Sequence, residues 1–191
     1  MNRALCVLVL VWSLAACSKS VEPAKPVNNG YHEYIIPKGR HYATGNNFRV
    51  LDKKSITFKV RFDSSCIYKV SKAENAGDIN KLYGFSDCGT NHQQNSARFG
   101  WVWNGKVIEL YAYCYSAGKR NSKLLGSAGI EQEVELGLAV ENGKYVFTSS
   151  GKKEFMERSC SDDRTEAYQL FPYFGGDEVA PHDVRIFIKE L

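Results

Sequence analysis

The side chains best able to do chemistry gather between Phe85 and Tyr115. A polar loop, Ser86 to Ser96, carries Asp87, His92, Gln93 and two asparagines, and Arg98 follows it. After the tryptophans at 101 and 103 come Glu109, Tyr111, Tyr113 and Tyr115, spaced by two. An imidazole exchanges protons near neutral pH, and a guanidinium grips a carboxylate with a planar fork of donors. Flat rings cover the apolar faces of sugars while amides, carboxylates and guanidinium groups reach their hydroxyls. His92, Gln93, Arg98 and Tyr111 supply the residue types for removing a proton beside a carboxylate: a base, a charge neutraliser and a ring hydroxyl. The candidate ligand-binding set is Arg98, Glu109, Tyr111, Tyr113, Tyr115 and His92.

Acid–base hydrolysis instead needs two carboxylates at a suitable spacing. Glu109, Glu133 and Glu135 fall on the polar faces of their segments, where they could line one concave sheet with Arg61 and Arg185. The run Glu131-Gln132-Glu133-Val134-Glu135 lacks the fuller E-x-D-x-x-E pattern of β-sandwich glycosidases and reads as a solvated face. G-x-S-x-G, H-E-x-x-H and a regular Asp/Asn/Gly calcium loop are all missing, so no metal and no cofactor is expected. His32 and His41 have no visible partner, and His182-Asp183 reads as a structural pair at a sheet edge.

The elements that must position these groups have period two. Ile56, Phe58, Val60 and Phe62 alternate with polar residues, as do Ile108, Leu110, Ala112 and Cys114, and Val134, Leu136, Leu138 and Val140. Because the even positions of Val107–Tyr115 fill an apolar face, its acid and three tyrosines must point the other way. Phe99, Trp101 and Trp103 share one parity and read as a core face. Asn104-Gly105 and Glu141–Lys144 are hairpin turns, Tyr145–Thr148 is a return strand, and Val184, Ile186 and Ile188 mark the last strand. Lys72–Leu82 and Lys152–Arg158 are read as short helices. Many short strands, tight turns and no βα alternation predict an all-β fold, an antiparallel β-sandwich of the jelly-roll or concanavalin-like kind.

The N-terminus has its own logic. Arg3 precedes an apolar run, Ala4 to Leu14, that is too short to span a bilayer but suits a secretory segment. It ends in Leu14-Ala15-Ala16-Cys17, which resembles the lipobox of bacterial lipoprotein signal peptides. That resemblance implies cleavage before Cys17, lipidation of Cys17 with palmitate among its acyl chains, and a lipid-anchored protein of the cell envelope, at the outer membrane. Residues 1–16 are then the signal peptide, 17–30 a lipidated tether with two prolines, and 31–191 one folded domain. Removing 16 of 191 residues leaves 175 and lowers the net charge from +4 to +3. So small and interspersed a balance excludes a nucleic-acid footprint.

Cys66, Cys88, Cys114 and Cys160 remain, an even number in an oxidising compartment, and predict two disulfides. Three pairings are possible; the shorter first loop favours Cys66–Cys88 with Cys114–Cys160. The absence of a C-x-x-C pair argues against a structural zinc.

Two segments, Phe171–Asp183 and Asn95–Trp101, together resemble those of uncharacterised envelope lipoproteins with a jelly-roll or concanavalin-like sandwich, over about residues 55–191. The resemblance implies a fold and leaves activity open. The residues themselves point to an envelope-anchored glycan-binding domain. The alternatives are a polysaccharide lyase or glycoside hydrolase, and a structural or protein-binding envelope component. The characteristic motifs of alginate-lyase-like sites are absent from the sequence. Partners are expected to be the membrane, through the lipid, and a polysaccharide or a cell-surface protein.

Overall fold

A computed structural model describes residues 29–52, 55–160 and 167–191. The expected signal peptide, Cys17 and most of the tether lie outside the described residues. Twelve strands are described: β1 His32–Ile36, β2 Val50–Leu51, β3 Ser55–Phe62, β4 Asn80–Ser86, β5 Ser96–Trp103, β6 Ile108–Ser116, β7 Lys119–Ala128, β8 Glu133–Glu141, β9 Lys144–Ser149, β10 Lys152–Glu157, β11 Ala167–Leu170 and β12 Val184–Glu190. They form two six-stranded sheets, ordered β1-β12-β3-β8-β9-β10 and β2-β11-β4-β5-β6-β7. Every pairing is antiparallel. The architecture is the antiparallel β-sandwich that the alternation predicted.

Alternation is what closes it. Phe58, Val60 and Phe62 of β3, Leu136 and Leu138 of β8, Phe147 of β9 and Ile186 of β12 turn inward from one sheet. Phe85 of β4, Phe99 and Trp101 of β5 and Leu110 of β6 meet them from the other. Phe99 lies edge-on to Phe58 and Phe147, with centroids 5.6 and 5.1 Å apart, and Trp101 lies 5.5 Å from Phe62. Phe99 and Trp101 therefore belong to the core.

Both expected helices are corrected. Lys72–Leu82 resolves into a 3-10 turn, Ala73–Gly77, and the start of β4. Lys152–Glu157 is β10, returned onto β9 by a Ser150-Gly151 turn whose two residues have φ of 50° and 77°. Paired positive φ values give the tight hairpin that matches strand twist, so a neighbouring strand overrides local helix preference. Glu133 and Glu135 lie on the outer face of the first sheet, where Lys59 donates to Glu133 at 2.6 Å. Glu109 lies on the other sheet, so these acids do not share one concave face.

The cysteine pairing is also corrected. Cys88 is bonded to Cys160 across 72 residues, while Cys66 and Cys114 are free and buried. Cys66 sits against β12, with its thiol donating to the Arg185 oxygen, and Cys114 points into the core from β6. His182 contacts the Ser65 oxygen at 2.8 Å and Asp183 accepts from the Lys38 amide, so each ties loops together and neither orients the other.

Candidate functional site

The outer face of the second sheet holds a groove of about 670 Å³. Strand parity supplies its floor. Arg98 of β5 stands opposite Tyr113 of β6, and Tyr115 stands opposite Ser96 and Arg120. On the other side of Arg98 lies Gly84 of β4. A Cβ there would come within 2.2 Å of the Ala97 oxygen and 2.3 Å of the Arg98 Cα, so only glycine permits this approach.

One wall is the chain from Phe171 to Asp177. Its Tyr173 exchanges backbone hydrogen bonds with Lys81 at 2.8 and 3.0 Å. The chain then turns at Gly175 (φ 72°), where a Cβ would strike the Glu178 oxygen at 2.1 Å. Lys81 donates to the Gly175 oxygen at 2.6 Å and lies over the rings of Tyr113 and Tyr173 at 5.5 and 5.4 Å.

The opposite wall is the loop carrying His92. The His92 amide donates to the Tyr168 hydroxyl at 3.0 Å, and the ring Nδ1 contacts the same oxygen at 3.0 Å. Ser96 donates to the His92 carbonyl at 2.6 Å. The base of the loop is braced twice, by the Cys88–Cys160 bond and by Arg158, whose Nε donates to Asp87 at 2.6 Å with both side chains buried.

The groove is electropositive. Lys81, Arg98 and Arg120 line it, and Asp177 is the one carboxylate among its described lining residues. Arg98 is only 8% exposed, and its Nε has no hydrogen-bond partner among the described residues. The Tyr113 ring lies 5.6 Å from its guanidinium. Burial lowers the Arg98 pKa to about 10, which leaves it charged at neutral pH. Burial first, and then the repulsion of Arg98, brings Lys81 down to about 8. Burial, then Arg98, also lowers His92, which favours its neutral ring. Burial and the Tyr115 hydroxyl push Tyr113 up to about 12, which keeps it protonated. Two more buried acceptors without partners, Asn46 Oδ1 and Gln169 Oε1, belong to groove-lining residues. A cation and acceptors buried without partners are costly unless something else completes them.

Of the sequence-derived set, His92, Arg98, Tyr113 and Tyr115 come together here. Glu109 and Tyr111 do not. They share the same sheet face nearer the Asn104-Gly105 turn, where Tyr111 donates to Glu109 at 2.6 Å and Asn104 donates at 2.9 Å. The Tyr111 pair thus satisfies itself, and Tyr113 is the tyrosine beside the guanidinium. Lys81, Arg120, Tyr168 and Tyr173 were not legible. Lys81 falls in a stretch read as helix, Arg120 in a polar stretch without alternation, and Tyr168 on a four-residue strand.

No protein-family model matches the chain, and no curated protein matches it. Solved structures do. Alginate lyase vAL-1 from Chlorella virus superposes with a TM-score of 0.53 at 16% identity, covering 84% of this chain and 82% of that one. Alginate lyase AlyC3 gives 0.54 at 13% identity, covering 84% and 74%. An alginate lyase from Alteromonas sp. 272 gives 0.52 at 9% identity, covering 87% and 89%. At these identities the likeness is one of fold.

Proposed function

We propose that the groove binds an acidic polysaccharide and cleaves it by β-elimination next to a uronate carboxylate. The observation that carries this reading is the buried Arg98 guanidinium, without an acidic partner among the described residues and beside Lys81 and Tyr113. Two cations facing the substrate carboxylate acidify the proton on the adjacent ring carbon. With Nδ1–H given to Tyr168, the neutral His92 ring has Nε2 free to take that proton from C5. Its electron pair forms the C4–C5 double bond as the C4–O4 bond breaks, and Tyr113, held protonated, supplies the proton to the leaving oxygen. A fold shared with several alginate lyases supports the substrate class. Hydrolysis by two carboxylates is less well supported, because the described lining holds one.

Incubation with alginate, pectate and hyaluronate fragments should produce ultraviolet absorbance from the new conjugated double bond with at least one of them. Arg98→Ala should abolish it while the protein stays folded. Binding without any double bond would reduce the function to glycan recognition, and neither binding nor product with any polyuronate would overturn the reading. The lipid expected on Cys17 would hold this groove at the envelope surface. Cys17→Ser should then move the protein from the detergent phase to the aqueous phase.

A further inference from the structure

The groove's charge is segregated. Lys81, Arg98 and Arg120 rise from the sheet, but the segment between β1 and β2 that forms the far rim contributes Tyr42, Asn46 and Phe48 and no ion to the lining. Tyr42 and Phe48 are 70% and 78% exposed. With Val50, they place three of the eight exposed large hydrophobics among the described residues within nine positions. Isolated exposed apolar residues are ordinary, but a cluster at the mouth of a groove marks a contact surface.

The rim is held in place. Thr44 donates its amide to the Ile35 oxygen at 2.7 Å, and the Arg49 oxygen accepts from the Gln169 amide at 2.8 Å. The Arg49 guanidinium grips both oxygens of Glu190 at 2.7 and 3.0 Å. The rings are propped from below: Phe48 lies 5.8 Å from Tyr168 at 30°, and Tyr42 meets the edge of Tyr173 at 4.9 Å. Tyr173 in turn stacks on His41 at 5.0 Å and 10°. Asn46 lies between these two residues in the chain and lines the same groove, and its Oδ1 is buried without a donor among the described residues. A supported ring beside an unfilled acceptor suits a pyranose, whose C–H face is apolar and whose hydroxyls donate.

We infer that Tyr42, Asn46 and Phe48 form a second, uncharged subsite that stacks against a sugar ring of the same polysaccharide chain, away from the residue whose carboxylate meets Arg98. This rests on the proposed binding of an acidic polysaccharide in the groove. The subsite recognises the apolar ring face and a hydroxyl, so it makes the protein prefer long chains to short fragments. Because its contacts are already in place, binding there requires little ordering.

The experiment is calorimetric titration of wild type, Tyr42→Ala/Phe48→Ala and Arg98→Ala with uronate dimers and hexamers and with a neutral mannan hexamer. Both rim side chains are solvent-facing, and an unchanged melting temperature confirms the fold of the double variant. Wild type should bind the uronate hexamer more tightly than the dimer. The double variant should lose about tenfold on the hexamer, as for a truncated interface aromatic, and nothing on the dimer. Arg98→Ala should weaken both lengths. If the folded double variant binds the hexamer as wild type does, or loses the dimer equally, the separate subsite is wrong while the charged groove stands. Wild-type binding to the mannan hexamer alone, lost in the double variant, would support the rim and overturn the acidic-polysaccharide reading. No binding to any of the three would overturn both.

Discussion

Raising the pH from 7 to 9 at constant ionic strength should weaken acidic-oligosaccharide binding by roughly an order of magnitude, and Lys81 is the reason. Its ammonium sits between the rings of Tyr113 and Tyr173 and is held by the Gly175 oxygen. Burial, Arg98 and Arg120 disfavour its charge, Asp78 and Asp177 favour it, and the balance places its pKa at about 8 instead of 10.5. About nine-tenths of the molecules then carry the charge at pH 7 and about one-tenth at pH 9. If the ligand carboxylate needs the ammonium, affinity falls by that ratio, about 1.4 kcal/mol. A bound carboxylate also raises the Lys81 pKa again, so binding at pH 9 must take up close to one proton. Calorimetry in buffers of different ionisation enthalpy reads this directly. The effect on stability has the opposite sign. Between about 8 and 10.5 the unfolded chain holds a proton that the native state has lost, so native stability rises with pH through that window. Deprotonation of Lys81 therefore does not itself unfold the protein, and a melting curve at each pH separates weaker binding from unfolding. Lys81→Arg, charged throughout, should flatten the profile. A wild-type affinity constant from pH 7 to 9, or binding without proton uptake, would refute the reasoning.

Three further outcomes follow from the framework around the groove. Arg158→Met should cost about 3–5 kcal/mol in urea unfolding, because Asp87, with a side chain 1% exposed, loses its charge partner; a cost below 1 kcal/mol, on that same scale of buried pairs, would contradict a buried bridge. Peptide mapping without reductant should find Cys88 joined to Cys160, with Cys66 and Cys114 alkylated only after denaturation, since burial raises both thiols, Cys114 to about 11. A Cys66–Cys114 link, or rapid labelling of either in native buffer, would contradict it. Gly84→Ala should destabilise by roughly 1–3 kcal/mol and weaken ligand binding together, because the added methyl displaces the Arg98 backbone; an unchanged melting curve would show that the approach is not close.

The sandwich was legible wherever one face of a strand is buried and the other wet, as in β3, β6, β8 and β12. The same rule put Tyr111, Tyr113 and Tyr115 on one face of their strand, but whether Arg98 joined them depended on a register that only the structure supplies. It failed where packing does not write alternation into the chain. β7, Lys119–Ala128, is an edge strand held by its pairing with β6, and its lysines and arginine suit an edge that must not recruit another chain. β10 has the composition of a helix and is a strand only because β9 lies beside it. Alternation also could not separate Tyr111 from Tyr113, which share parity; the difference lies in Glu109, which takes the Tyr111 hydroxyl for itself. The disulfide was misjudged because loop length was the only guide, whereas the sandwich encloses Cys66 and Cys114 in its interior and brings Cys88 and Cys160 to within 6.2 Å between Cα atoms.

Both sheets are completed out of sequence order. β12 inserts between β1 and β3, and β11 inserts between β2 and β4. The first strand, at His32–Ile36, can find its neighbour only when Val184–Glu190 has been made. In a chain wired this way β4 to β7 and β8 to β10 pair with sequence neighbours, whereas β1 has no neighbour in its sheet until β12 arrives. Such long-range closure is slow to reach. Loss of β12 alone would leave β1 without a neighbour and β3 with only β8, splitting the first sheet in two, so this strand acts as the sheet's latch.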